Sequence, residues 1–163
     1  MSIIPQVTAA MIAYYAGEVR RVGHFLTVYG YAKAMGELEG LDAKTQEILE
    51  VTALMHDIGI KASIEKSGKY TPASQELEGP PVAKAMLEKL GYDPVRTERV
   101  CRLIGRHHTY TDIDGPDCQI LIEADFLVNF DGMSMSEDAI RKVKRNVFKT
   151  KTGLAFLTDI YSI

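Results

Sequence analysis

The sequence predicts an all-α protein that folds as a single-domain helical bundle. Apolar residues recur at the three- and four-residue intervals of an α-helix along most of the chain, and no segment shows the alternation that is typical of a strand. The 163 residues include no internal repeat, low-complexity tract or linker, and this length suits one domain with a substantial core. Hydrophobic residues make up 46% of the chain and charged residues 25%, which indicates an ordinary globular protein.

Proline and capping residues mark where successive helices begin. The predicted helices cover residues 5–15, 17–37, 43–58, 74–90, 94–108, 118–130 and 137–149. Pro5 and Pro94 each open a helix, where the missing proline N–H costs no hydrogen bond. Asp42, Asp117 and Ser136 are candidate N-caps, because their side-chain oxygens can accept the free N–H groups of a first turn.

Glycine and polar segments mark where the predicted helices end. Gly59 and Gly91 stop the third and fourth helices. The segment 60–74 is rich in Lys, Ser and Gly and is predicted to be a loop. Pro80 and Pro81 predict that the regular part of the helix over 74–90 begins late. The last dozen residues fit no single element.

The composition provides no general electrostatic case for a nucleic-acid or membrane partner, because the net charge is −3 and the pI is about 5.8. Cys101 and Cys118 lack metal-type spacing and are expected to be buried, reduced thiols. The N-terminus lacks the basic start and apolar run of a signal peptide, and no apolar segment is long enough to span a bilayer. We therefore expect a cytoplasmic protein. The sequence does not decide between a monomer and a homo-oligomer.

Several polar residues stand on helix faces where an ordinary sequence would place Leu or Val. His24, His56, His107 and Asp125 each fall on the apolar face of a different predicted helix, and Asp57 directly follows His56. Each has an ordinary explanation when taken singly, since a core histidine is often hydrogen-bonded and a buried aspartate often pairs with an arginine. Together, His24, His56, Asp57 and Asp125 would need separate partners, so a shared ion explains them better.

The donor set indicates which ion this would be. Two imidazole nitrogens and two carboxylates suit a divalent transition metal, namely Mn²⁺, Fe²⁺, Co²⁺, Ni²⁺ or Zn²⁺, and Mg²⁺ is a further candidate. Four protein ligands leave positions on a six-coordinate ion for water and a substrate oxygen. The charge of the ion also offsets the two buried carboxylates.

The segment ALMHDIG, with a histidine before it and a distant aspartate after it, resembles the motif of the HD domain superfamily of metal-dependent phosphohydrolases. EGPPVAKAML, RLIGRHH and IEADFLVN follow in the family's order and spacing. The resemblance covers about residues 17–130. It implies a helical bundle of the HD-domain type, with His24, His56, Asp57 and Asp125 as the metal ligands.

The resemblance also bears on a second ion, which some members hold. His107 or His108 matches one of the positions that ligate it, and Glu78 stands near a position where such members carry another histidine. Glu78 either replaces that ligand or acts only as a carboxylate at a helix start. Residues 58–61 lack the Glu–Asp pair of the alarmone hydrolases in this superfamily, so that version of the chemistry is not supported.

Positive side chains near the motif are candidates for binding a phosphoryl group, whose developing charge needs cations. They are Lys61, Lys66 and Lys69 after the central motif, Arg20 and Arg21 before His24, and Arg106 beside the histidine pair. Each has the alternative of a solvated surface charge. His107 continues the apolar stripe of its helix and is expected to face the site more than His108, a further substrate-binding candidate. Tyr70 or Tyr110 could stack on a base.

Two functions follow from these residues and from the resemblance. The first is a phosphohydrolase in which metal-activated water attacks a phosphate ester or anhydride, with Asp57, Lys61 and His107 as catalytic residues. Its partner would be a small phosphorylated substrate, above all a nucleotide. The second is a sensor or regulatory module that holds metal and ligand without turnover. The intact ligand set and the nearby cations favour the enzyme.

Overall fold

Nine α-helices and no β-strand make up the computed structural model, which describes residues 1–163. The helices are α1 (Ile4–Tyr14), α2 (Val19–Leu38), α3 (Ala43–Ala53), α4 (Ile60–Ser67), α5 (Pro72–Lys89), α6 (Pro94–Ile104), α7 (Gly115–Gly132), α8 (Glu137–Asn146) and α9 (Lys151–Tyr161). The predicted all-α fold is therefore confirmed. None of these helices combines the length and the apolar character that crossing a bilayer would require.

Helix α3 lies at the centre of the bundle. Every residue from Ile48 to Ala53 is buried, so the second half of the helix has no face toward solvent. The helix packs against α1, α2, α6 and α7. The segments that carry the predicted metal ligands therefore meet around the end of one central helix.

The remaining helices pack in pairs around this centre. Helix α2 packs on α7, α5 packs on α6, and α4 lies against α5. The last dozen residues form α9, which begins after the N-cap Thr150 and packs on α7 and α2. The fully buried carboxylate of Glu123 in α7 anchors the start of α9, because it accepts the backbone N–H groups of Lys149 at 2.6 Å and Thr150 at 3.0 Å.

Helices α3 and α6 end earlier than their apolar patterns predict. The predicted ends were 58 and 108, whereas the helices stop at Ala53 and Ile104. Tight turns follow in both places, where the N–H of Met55 bonds to the carbonyl of Thr52 and the N–H of Arg106 bonds to that of Leu103. Leu54, Met55 and Ile58 after α3 and His107 after α6 are still buried, so the pattern of core-facing positions alone does not reveal the change.

The predicted loop over 60–74 is wrong, because α4 occupies most of it. This short helix buries Ile60 and Ser63 one turn apart and exposes Glu65, Lys66 and Ser67. Gly68 ends it in the left-handed conformation, with φ of 76°. Helix α5 also starts earlier than expected, since a capping box between Thr71 and Ser74 fixes its first turn.

Two proline and capping predictions also need correction. Helix α5 runs continuously through Pro80 and Pro81, so its regular part does not begin late. Helix α7 begins at Gly115 rather than after Asp117. The Asp117 carboxylate instead pairs with Arg99, whose Nη2 lies 2.6 Å from Oδ1, and therefore does not cap the helix.

Candidate active site

Four side chains from three separate parts of the fold converge on one point. His24 comes from α2, His56 and Asp57 from the turns after α3, and Asp125 from the middle of α7. The Nε2 atoms of His24 and His56 lie 3.1 Å apart, and His24 Nε2 lies 3.3 Å from Asp57 Oδ2 and 3.2 Å from Asp125 Oδ1. His56 Nε2 lies 3.5 Å and 3.4 Å from the same two oxygens.

These separations match the spacing of donor atoms around a single ion. Nitrogen and oxygen ligands at about 2.1 Å from a metal lie about 3.0–3.4 Å from one another in octahedral or tetrahedral geometry. Two imidazoles facing each other through Nε2 do not otherwise make a favourable contact unless one of them carries a proton there. The geometry of the four side chains therefore fits a divalent cation.

The orientation of His56 provides a second test of this fit. Its Nδ1 lies 2.8 Å from the carbonyl oxygen of Ala53, which can only accept a hydrogen bond, so Nδ1 carries the proton. In the neutral ring Nε2 then holds a lone pair directed into the cluster. This is the tautomer that a metal-ligating histidine needs, and a backbone carbonyl fixes it.

Asp125 provides a third test. Its Oδ1 atom is buried and has no hydrogen-bond partner, although two imidazole nitrogens lie close to it. A buried carboxylate oxygen without a partner carries a large desolvation cost. A cation at the centre of the cluster would remove that cost, so the residues present fit a metal.

The electrostatics of the cluster agree with this interpretation. Burial opposes charge on His24, but its contacts with Asp125 and Asp57 outweigh burial and raise the pKa of His24 to about 10. Burial likewise opposes ionisation of Asp57 and Asp125, yet the surrounding histidines hold the pKa of both carboxyls below its usual value. Two ionised carboxylates in a buried setting attract positive charge, either protons or a metal ion.

Asp57 also faces a second group of potential ligands. His107 is buried, its Nδ1–H donates to the carbonyl of Ile104 at 2.7 Å, and its Nε2 lies 3.2 Å from Asp57 Oδ1. His108 Nε2 lies farther away, at 3.9 Å from the same oxygen. Asp57 thus presents Oδ2 to the first cluster and Oδ1 to His107.

The side chain of His108 is held by α5, through residues that the sequence did not single out. Its Nε2 lies 2.6 Å from the Oε1 atom of Gln75, and its backbone N–H donates to Glu76 Oε1 at 3.0 Å. Burial, followed by the proximity of His107, lowers the pKa of His108 to about 4. Gln75 is buried and lies beside the cluster, and only the folded structure brings it to a histidine 33 residues away.

A close approach of two glycines brings α5 against the central motif. A Cβ atom on Gly59 would lie 2.5 Å from the backbone nitrogen of Gly79, and one on Gly79 would lie 2.5 Å from Cγ2 of Ile104. Gly59 follows Asp57 by two residues, so the position of α5 relative to the cluster depends on this contact. Glu78 lies outside both ligand groups and pairs with Lys66 at 2.7 Å.

A cavity of about 960 Å³ opens above the cluster. His24, Asp57, Gln75 and His108 line it together with residues from α2, α7 and the segment between α4 and α5. Its size suits a small organic ligand. The cluster is therefore accessible from solvent through a pocket rather than closed within the core.

The structure separates the predicted phosphate-binding cations into two sets. Arg20 and Arg21 line the cavity, whereas Lys61, Lys66, Lys69 and Arg106 do not. Lys61 Nζ donates to the carbonyl of Tyr14 at 3.3 Å, and Lys66 is paired with Glu78 as described. Arg106 reaches a backbone carbonyl at Thr111, and Lys69 is exposed.

The two candidate stacking residues also differ in placement. Tyr70 lines the cavity and is about half exposed, at 48%. Tyr110 packs on Phe126, with ring centroids 5.0 Å apart, and does not line the cavity.

Tyr15, which the sequence did not single out, supports the central motif from α1's C-terminal end. Its hydroxyl lies 3.2 Å from the carbonyl of Asp57 and 3.1 Å from that of Ile58, to which it donates. The same oxygen accepts the backbone N–H of Lys61 at 3.3 Å. One buried phenol thus connects the ligand turn with the start of α4.

Comparisons with known proteins agree with the fold and show the family. A family model described as the HD domain matches residues 21–141. A solved structure described as a predicted HD superfamily hydrolase from an uncultured Thermotogales bacterium superposes with a TM-score of 0.66 at 23% identity, over 99% of this chain and 85% of that one. No curated protein matches the chain. The matched segment includes all four clustered side chains, and the chain belongs to the HD domain family.

Proposed function

We propose that the protein is a metal-dependent phosphohydrolase that cleaves a phosphate ester or anhydride of a nucleotide. The observation that carries this proposal is the convergence of two imidazole Nε2 atoms and two carboxylates beside an open cavity, which His24 and Asp57 line. A structural zinc site is closed by its protein ligands, whereas this one adjoins a pocket that admits water and a substrate. Membership of the HD domain family is consistent with a hydrolase.

His24, His56, Asp57 and Asp125 would hold the ion. The donor set favours Mn²⁺, Fe²⁺, Co²⁺, Ni²⁺ or Zn²⁺, with Mg²⁺ as a further candidate. When bound, the ion supplies Lewis acidity that lowers the pKa of a water and polarises a phosphoryl oxygen. The fixed Nδ1 contact of His56 keeps its ligand atom directed at the cluster without rearrangement.

Asp57 and His107 are the residues that we propose to handle the proton. Asp57 Oδ1 faces away from the four-ligand cluster and lies 3.2 Å from His107 Nε2. His107 Nε2 can therefore hold a proton at the cluster, with Asp57 Oδ1 as the acceptor that orients it. His107 is in turn fixed through its Nδ1 contact with Ile104, so the pair is positioned before substrate binds.

We propose that Arg20 and Arg21, with His108, contact the phosphoryl oxygens, because these residues line the cavity. We do not carry Lys61 forward as a catalytic residue, since its ammonium lies against Tyr14. Lys66, Lys69 and Arg106 are likewise left out of the substrate site on the ground of their placement. The proposed partner is a small phosphorylated molecule in the cytoplasm, where Cys101 and Cys118 stay reduced and unpaired.

The test is a turnover screen of metal-loaded protein. Protein with added Mn²⁺ is assayed against nucleoside mono- and triphosphates, cyclic nucleotides and sugar phosphates. Asp57→Ala and Asp125→Ala are expected to lose both bound metal and turnover, whereas Asp131→Ala, an exposed carboxylate on the same helix as Asp125, keeps both. If metal-loaded protein binds a nucleotide stably but shows no turnover, the sensor function replaces the enzyme as the interpretation of this site.

A further inference from the structure

We propose that the cavity selects a phosphomonoester whose alcohol carries a planar base, as in a nucleoside monophosphate, over a nucleoside triphosphate. This inference rests on the proposed function of the same site and specifies its substrate class. Three observations carry it: the way Arg21 is held, the scarcity of other cations in the cavity, and the exposed ring of Tyr70.

The guanidinium of Arg21 is restrained on three sides. Its Nε donates to Glu18 Oε2 at 2.8 Å, and its central carbon lies 5.6 Å from the ring centroid of Tyr15 and 5.5 Å from that of Tyr70. Neither Nη group has a protein acceptor. A guanidinium that is flanked by two rings presents its edge, and this edge matches two oxygens of one phosphate. Arg21 also lies one turn before His24 and lines the cavity.

Three of the other cations around the motif are committed elsewhere, and the fourth, Lys69, is exposed outside the cavity lining. Lys61 contacts Tyr14, Lys66 pairs with Glu78, and Arg106 reaches the backbone at Thr111. Only Arg20 accompanies Arg21 in the cavity lining, and Glu18 there adds a negative charge. A phosphomonoester presents three terminal oxygens, which one metal ion and the two free Nη groups of one guanidinium can contact. The additional phosphates of a triphosphate would find few further cations.

The part of the cavity lining beside Arg21 suits a planar base. Tyr70 lies in the short segment between α4 and α5, which the left-handed Gly68 and the Thr71 capping box fix at its two ends. One side of its ring is taken by Arg21, yet the side chain remains about half exposed. Val19 and Met133 are exposed apolar residues of the same cavity. An aromatic base can cover such apolar surface, whereas a bare sugar cannot.

The first experiment compares substrates that differ in one part at a time. Metal-loaded protein is assayed with the 5′-mono-, di- and triphosphates of adenosine and with ribose 5-phosphate, all at the same free Mn²⁺ concentration. We expect kcat/KM to fall by at least about tenfold from mono- to triphosphate. Ribose 5-phosphate, which lacks the base, is expected to show a KM about tenfold higher than the monophosphate.

Variants assign these preferences to residues. Tyr70→Ala is expected to raise KM for adenosine monophosphate by about tenfold and that for ribose 5-phosphate by a clearly smaller factor, since the ring also restrains Arg21, whereas Tyr70→Phe behaves as wild type. Arg21→Gln is expected to raise KM for both substrates. Lys142→Gln removes an exposed cation on α8, outside the cavity lining, and is the control that changes neither.

Equal or better use of the triphosphate would overturn the proposal, as would a Tyr70→Ala variant that affects both substrates alike. Binding provides a readout that does not depend on catalysis. Calorimetric titration of metal-loaded protein with adenosine mono- and triphosphate is expected to show tighter binding of the monophosphate, weakened by Arg21→Gln. If the protein shows this order of affinities but no turnover, the proposed hydrolase activity is wrong and the ligand preference stands. If the triphosphate binds more tightly than the monophosphate, the proposed substrate class is wrong.

Discussion

His56 and His107 are oriented by the same contact. The Nδ1–H of each donates to the carbonyl of the last residue of its own helix, at 2.8 Å for Ala53 of α3 and 2.7 Å for Ile104 of α6. Each imidazole therefore satisfies one of the free carbonyls at a helix end and directs Nε2 toward Asp57 or its cluster. The early end of each helix and the orientation of its histidine are one structural feature.

His107 is expected to serve the reaction rather than the first ion. Its Nε2 contacts Asp57 Oδ1 on the side away from the four-ligand cluster. His107→Ala should therefore keep one equivalent of bound metal while kcat falls by about a hundredfold, since a positioned proton-handling group typically contributes that much. Elemental analysis and steady-state kinetics measure the two effects. Complete loss of metal in this variant would instead make His107 an essential ligand.

Metal binding is expected to stabilise the fold through Asp125. Because the buried Oδ1 of Asp125 has no hydrogen bond, an ion that binds only the native state should raise the melting temperature. At a free concentration a hundredfold above Kd the gain is about 2.7 kcal/mol. Thermal melts with Mn²⁺ and with chelator measure it. Asp125→Ala should abolish the metal-dependent shift, and Asp131→Ala should retain it.

Substitution of Gly59 is expected to be costly. A Cβ atom there meets backbone atoms of α5 at Gly79, which cannot move aside as a flexible side chain could. Gly59→Ala should reduce the free energy of unfolding by about 1–3 kcal/mol in chemical denaturation. Gly30→Ala in α2 is the matched control, because a Cβ there meets nothing within 4 Å and helix propensity favours alanine. Equal free energies of unfolding for the two variants would show that α5 can shift away from Gly59 at little cost.

The buried carboxylate of Glu123 is expected to matter for stability and not for metal binding. It accepts the N–H groups of Lys149 and Thr150 and a bond of 2.7 Å from Gln119, so Glu123→Ala leaves several donors without partners. We expect a loss of about 2–3 kcal/mol in unfolding free energy. The exposed Glu137→Ala serves as the control. Loss of bound metal at full stability would contradict this division of roles.

Gln75 is expected to control whether a second ion binds. Its Oε1 accepts from His108 Nε2, the atom that lies 3.9 Å from Asp57 Oδ1 and would be needed as a ligand. Gln75→Leu removes that competing hydrogen bond, so the affinity for a second Mn²⁺ should tighten about tenfold. Calorimetric titration measures it. The double variant Gln75→Leu, His108→Ala should return to the wild-type titration, and an unchanged second affinity in the single variant would exclude this role.

The placement of the proposed metal ligands follows from the sequence more directly than the rest of the site does. His24, His56 and Asp125 stand out because each interrupts an apolar helix face, and that pattern is local. The short helix α4 was missed because it buries only Ile60 and Ser63 in a segment otherwise rich in Lys, Ser and Gly.

Long-range partners explain the remaining differences. The role of Gln75 follows only from its contact with His108 in the folded structure. The direction of the Lys61 side chain likewise depends on Tyr14, 47 residues earlier in the chain. A sequence pattern shows which side chains are unusual for their helix face. It does not show which of several nearby cations will find a competing partner in the folded protein.

The contact of Tyr15 with the ligand turn bears on how the domain should be delimited. The family match begins at residue 21 and ends at 141, so it contains every ligand but neither Tyr15 nor the α9 start that Glu123 anchors. A fragment cut at those limits would keep the motif but lose the Tyr15 hydroxyl that contacts the carbonyls of Asp57 and Ile58. The segment that the family model matches is therefore shorter than the segment whose contacts hold the proposed ligands in place.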